Sequence, residues 1–225
     1  MSHSPHTMLH GVNDRLNRHY GVPARDPLPL DNKPDPLDEL VYLSITQRTH
    51  APGSNAAYRQ LKERFPDWSL VASSSINEVT RAVEMSGLAD LKALRIKRIM
   101  DTLPQEFGSV TLDPLWKMDD DEALRFLTKR IRTGVKTAYA VMMYSLGRDV
   151  FPADAHCLRI LRRLGLIPPA LKHETANRRI HEVVPAGIRF DLHVNMVKHG
   201  RAVCTGRRPK CDACVLEDLC PRVGL

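Results

Sequence analysis

The sequence predicts an all-α protein built from many short helices. Three observations lead there. From residue 35 onward, apolar side chains recur at intervals of three and four. Asp and Ser caps open these runs, and Gly or Pro closes them. No stretch alternates apolar and polar residues long enough to make a strand.

Residues 1–34 are polar and are interrupted by Pro23, Pro27, Pro29 and Pro34. They predict a short helix over Asn13–Tyr20 followed by an extended connection. Asp35 is a good N-cap and Pro36 suits the first helical position, so a helix should run from there to about Arg48. Further helices are expected over Ala56–Arg64, over Ile76–Met85 after the Ser73-Ser74-Ser75 signal, and over Asp90–Thr102. Gly87 and Pro104 should end the last two. A short helix follows at Asp113–Trp116, then one over Asp120–Arg130. The turn Arg132-Thr133-Gly134 should open a helix over Lys136–Leu146. Asp154 should cap the next, which Gly165 stops. Helices over Thr175–Val184 and Leu192–Ala202 complete the set.

Composition bounds the function. The 225 residues allow one large domain or two small ones, and 43% hydrophobic content fits a globular chain. A net charge of +7 and a pI near 9.3 favour an anionic partner such as nucleic acid. No apolar run approaches the roughly 18 residues of a membrane span. The N-terminus lacks the basic and apolar regions of a signal peptide. An intracellular, reducing setting is therefore expected, where clustered cysteines read as metal ligands.

Four of the five cysteines crowd the tail, as Cys204, Cys211, Cys214 and Cys220, spaced C-x6-C-x2-C-x5-C. Four thiolates suit zinc or an iron–sulfur cluster. Zinc sites usually carry two C-x2-C knuckles, and only Cys211–Cys214 makes one. Arg207, Arg208 and Lys210 lie inside the first loop and give it a positive face.

The middle of the chain carries a second constellation. Lys136 falls in the first turn of its helix, where the macrodipole disfavours an ammonium, and a lysine with a free amine can act as a nucleophile. Asp154, at a helix N-terminus, is favoured as an anion. From Glu122 to Arg163 there are nine Lys/Arg against three acidic residues, which makes this stretch a basic strip. Each feature alone also reads as a solvated helix face or a simple cap.

Together these features resemble the endonuclease III family, the iron–sulfur branch of the helix-hairpin-helix DNA glycosylases. The residues that carry the resemblance are Gly134-Val135-Lys136-Thr137-Ala138, Val150-Phe151-Pro152-Ala153-Asp154-Ala155-His156 and the cysteine tail. It covers roughly residues 36–220. The resemblance implies two helical lobes, a six-helix domain over 35–148 and a cluster domain of 1–34 plus 149–225, with the active site in the cleft between them. Lys136 would then come from one lobe and Asp154 from the other.

The resemblance further implies that Lys136 is the nucleophile, Asp154 the essential carboxylate and the four tail cysteines the ligands of a [4Fe-4S] cluster. Gln47 would enter the gap left by an extruded base, and Leu88 would act as an apolar wedge. The hairpin around Arg132 and Gly134 would grip phosphate, as would Arg207, Arg208 and Lys210. The implied activity is removal of oxidised pyrimidines through a lysine Schiff base, with strand nicking 3′ to the abasic site. The implied partner is damaged or abasic double-stranded DNA, bound by a monomer in the cytoplasm at the nucleoid. Two departures stand out. Relatives read Leu-Pro-Gly-x-Gly where this chain has Arg130-Ile131-Arg132-Thr133-Gly134, and His50 replaces an aspartate. An adenine-mismatch glycosylase, a branch that generally lacks this lysine, and a catalytically weak damage-binding protein are the alternatives.

Overall fold

Ser4 opens the first helix nine residues ahead of the expected start. In this computed structural model, which describes residues 4–49, 51–168, 177, 179–181 and 183–225, α1 spans Pro5–Tyr20. The Ser4 hydroxyl accepts from the Thr7 N–H, and Pro5 takes the first helical position. The polar composition of the head concealed a narrow apolar stripe of Leu9, Val12 and Leu16, all fully buried. Among the described residues there is no strand, so the all-α class holds.

Backbone contacts divide the chain into two compact units. One comprises Met1–Leu30, Gly134–Met143 and Gly147–Leu225; the other comprises Asp31–Thr133 and Tyr144–Leu146.

In the second unit, Asp35 caps α2 (Pro36–Thr46) by accepting from the Leu37 and Asp38 N–H groups. Next come α3 (Ala51–Arg64), α4 (Trp68–Ser73) and α5 (Ile76–Ala82). The α4 helix was not expected; Asp67 caps it through the Ser69 N–H. A full capping box between Ser75 and Glu78 opens α5, which ends at Ala82 rather than Met85 because a 3-10 turn, Glu84–Ser86, takes over. The long α6 (Ala89–Phe107) passes through Pro104, where an end was expected. The proline sits in the last turn, so it removes only the bond to the Met100 carbonyl, and the Gly108 N–H closes the end on the Pro104 carbonyl at 2.9 Å. Gly108 takes φ +74, the left-handed cap. Leu40, Ile45, Leu61, Ile96, Met100, Leu103 and Leu115 build the core.

The expected helix over Asp120–Arg130 is two structures. α7 spans Asp120–Arg125, and Phe126–Arg130 is a π turn in which the Ile131 N–H reaches the Phe126 carbonyl at 3.1 Å. The extra residue in that turn ends α7 early and shapes the hairpin.

In the first unit lie α8 (Val135–Tyr144, through Met143), α9 (Ala155–Arg163) and α10 (Arg189–Ala202). Leu158, Leu161, Leu192 and Met196 pack on the α1 stripe with Phe151. A Cβ at Gly200 would lie 2.6 Å from the His156 Cβ, so α9 and α10 touch through bare backbone. Part of the expected helix over Thr175–Val184 lies outside the described residues; Asn177, Arg179, Ile180, His181 and Val183 are helical. Among the described residues, no helix is long and apolar enough to cross a membrane.

Candidate active site and iron–sulfur tail

Asp154 caps α9 as the sequence indicates, its Oδ1 accepting from the Cys157 N–H at 2.8 Å. The preceding Ala153 N–H is held by the side chain of buried Asn177 at 2.9 Å, which fixes the approach to the cap. Burial pushes the Asp154 carboxyl up, yet His193, the Cys157 N–H, Lys136 and His156 together carry it below the ordinary carboxylate value. The carboxylate therefore stays an anion inside the protein.

Lys136 is half-buried in the first turn of α8, and its charge acts on Asp154, Cys157 and His193 alike. Lys136 and Asp154 fall in the same compact unit.

His193 was missed from the sequence. It is 4% exposed, hydrogen-bonded to the Pro152 backbone and set edge-on to Phe151, with burial lowering its imidazole to about 4. A buried imidazole thus backs Asp154. The signal was weak: a lone His on an apolar helix face, 39 residues from its partner. Cys157 is fully buried beside it, as a core thiol, with burial raising its thiol well above the usual value.

The hairpin gives Arg132 an unusual backbone. It takes φ +60, the conformation a glycine would adopt freely. The turn is held by the Thr133 N–H and hydroxyl, both on the Leu127 carbonyl, and by Arg98, which donates to the Arg132 carbonyl at 3.4 Å. Gly134 follows, its carbonyl accepting the Ala138 N–H at 3.0 Å.

Gln47 ends α2 in an exposed position, its side-chain oxygen accepting from Arg95. Leu88 is 52% exposed just ahead of α6 at φ +52. Both lie in the second unit with Arg132, and His50 lies outside the described residues.

In the tail, Cys204, Cys211, Cys214 and Cys220 line one shared cavity. Donors reach the sulfurs: Arg163 donates to Cys204 Sγ at 3.1 Å and the Leu216 N–H to Cys214 Sγ at 3.4 Å, while His199 Nε2 lies 3.3 Å from the same Cys214 atom. Such donors suit thiolates. No three His, Cys, Asp or Glu among the described residues are placed to hold a single ion. Four sulfurs lining one cavity can converge on a single inorganic centre. Arg207, Arg208 and Lys210 are exposed on the first loop, which buried Arg163 ties down through the Thr205 and Gly206 carbonyls at 2.7 and 3.0 Å.

Comparisons with known proteins agree with this geometry. Residues 204–220 match the iron–sulfur binding domain of endonuclease III, so the four cysteines are the ligand set of a [4Fe-4S] cluster. Endonuclease III of Escherichia coli (strain K12) is 34% identical over 190 residues, 84% of this chain and 85% of that protein. An Arabidopsis thaliana protein, provisionally named a DNA glycosylase, is 30% identical over 193 residues. The chain spans 65% of that relative's length and a small fraction of several longer plant relatives. A solved structure of a trapped endonuclease III–DNA covalent intermediate superposes with a TM-score of 0.80 at 20% identity, covering 96% of this chain and 95% of that one, which shows a shared fold. By the length and identity of the bacterial match, and by its tail, this chain belongs to the endonuclease III family.

Proposed function

We propose that the chain is a base-excision DNA glycosylase with AP-lyase activity on oxidised pyrimidines. The observation that carries this reading is the pairing of Lys136 with an Asp154 carboxylate kept ionised in the protein interior. A duplex base must leave the stack before its sugar can be reached, at about a few kcal/mol. Gln47 and Leu88 would fill the space it vacates. The first-turn N–H groups of α8 and the hairpin at Arg132 and Gly134 would hold phosphate.

With its amine free, Lys136 would attack C1′ of the damaged nucleotide. The new C–N bond forms as the glycosidic bond breaks, and the base departs with that electron pair. Asp154 would stabilise the positive charge developing on the sugar or take the proton the amine gives up. Ring opening yields the Schiff base, and loss of a C2′ proton with expulsion of the 3′ phosphate nicks the strand. The [4Fe-4S] cluster supplies structure when bound, folding Arg207, Arg208 and Lys210 into a phosphate-gripping loop. The chain would act as a monomer on double-stranded DNA in an intracellular setting.

The test is borohydride trapping and nicking on duplexes carrying an abasic site, thymine glycol or other oxidised pyrimidines. Wild type should form a covalent adduct. Lys136→Gln should form none, and Asp154→Asn should bind DNA without reacting. Absence of an adduct across the whole panel would leave a binding protein instead.

A further inference from the structure

Lys92 is an unusual side chain for a core. It sits in the first turn of α6, four residues past Leu88, and is 1% exposed. No described carboxylate forms a salt bridge with it. Lysine is seldom fully buried without a counter-charge, because its desolvation is costly. Burial first, and then Arg95, lower its pKa.

Its hydrogen bonds join two loops. The ammonium donates to the Ser86 carbonyl at 2.7 Å and to the Thr49 hydroxyl, and that hydroxyl donates in turn to the same carbonyl. Ser86 precedes Gly87-Leu88, and Thr49 follows Gln47-Arg48. Each loop has a left-handed non-glycine residue at its tip, Arg48 at φ +55 and Leu88 at φ +52. Such conformations persist only where the surroundings over-determine them. The backbone of α3 closes the same node: a Cβ at Gly53 would lie 3.2 Å from the Met85 carbonyl oxygen and 3.5 Å from Thr49 Cγ2.

We propose that Lys92 is a positioning residue that bolts the Gln47–Thr49 and Ser86–Leu88 loops together, so that Gln47 and Leu88 enter a duplex as one preformed pair. This rests on the reading of Gln47 and Leu88 given under Proposed function. Preorganisation matters at this point because groups that fill the gap left by a rotated nucleotide act only when held in place. Lys92 touches no DNA in this scheme. It acts through the loops it joins.

The test compares borohydride trapping on abasic-site duplex with trapping on single-stranded abasic DNA, where there is no duplex stack for the pair to enter, using the full chain. Lys92→Met keeps the stem length without the charge, and Thr49→Val removes one acceptor while leaving the lysine. In each variant the duplex-to-single-strand ratio should fall by about tenfold or more, since small misplacements of entering groups cost rate steeply. The fluorescence rise of a 2-aminopurine beside the lesion, which reports unstacking, should fall with it. Thermal melts identify a variant that fails to fold, and the other variant then carries the test. An unchanged ratio, or an equal loss on both substrates, overturns the proposal. If wild type traps on neither substrate, the proposed activity is what fails. The 2-aminopurine signal on duplex binding, which needs no lysine chemistry, then decides whether Lys92 matters.

Discussion

The His193 Nδ1 lies 3.6 Å from the Cys157 Sγ, so the imidazole behind Asp154 faces a sulfur and a benzyl ring rather than water. Its folded pKa, about 4, is below the ordinary value of about 6.5. Between those values the unfolded chain binds a proton that the folded chain resists. Stability should therefore rise as pH goes from about 4 to about 6.5, by up to roughly 3 kcal/mol. Lys136, Asp154 and the Pro152 backbone are the other groups that act on this ring. Urea midpoints measured across that range should show the slope in wild type and a flatter profile in His193→Gln.

Gly200 should tolerate no side chain. A methyl group there would meet the His156 Cβ at 2.6 Å and Nδ1 at 2.8 Å. Gly200→Ala is expected to cost about 1–3 kcal/mol through overpacking. A lower melting temperature in Gly200→Ala than in wild type is the check.

Arg132 carries backbone strain for which a glycine is the remedy. Arg132→Gly should gain about 1 kcal/mol from the relieved left-handed conformation. If the guanidinium contacts a phosphate, the same change should lower the salt slope of DNA binding by about one unit. A chemical melt and a salt titration separate the two effects.

Arg163 spans the tail with one planar fork, donating to Cys204 Sγ and to two carbonyls of the basic loop. A lysine cannot reproduce three directed bonds from two nitrogens. Arg163→Lys should lower the iron content of the purified protein and speed its release to a chelator, read by visible absorbance and metal analysis.

Much of this was legible in residue order because the informative features are local. Asp35 with Pro36, Asp154, and the cysteine spacing each act within a turn or a loop, and each stands where the sequence placed it. What stayed hidden was long-range. The α1 stripe is buried only because α10 and Phe151 cover it. His193 becomes part of the site only when α10 lies against α9. Pro104 fails to stop α6 because it falls in the last turn, where one lost bond is tolerable. The π turn at Phe126–Arg130 has no sequence signature of the kind a cap or a glycine gives. Lys92 reads as a surface lysine until Thr49 and Ser86 are brought to it.

The bare contact between Gly200 and His156 also sets how closely α9 and α10 approach. Asp154 stands two residues before His156, and Cys204 stands four residues after Gly200. Arg159 and Arg163, both on α9, bond the Cys204 carbonyl and sulfur and the Thr205 and Gly206 carbonyls, so the helix that Asp154 caps holds the tail directly. The carboxylate and the anchor of the metal-binding tail thus sit at opposite ends of one short helix.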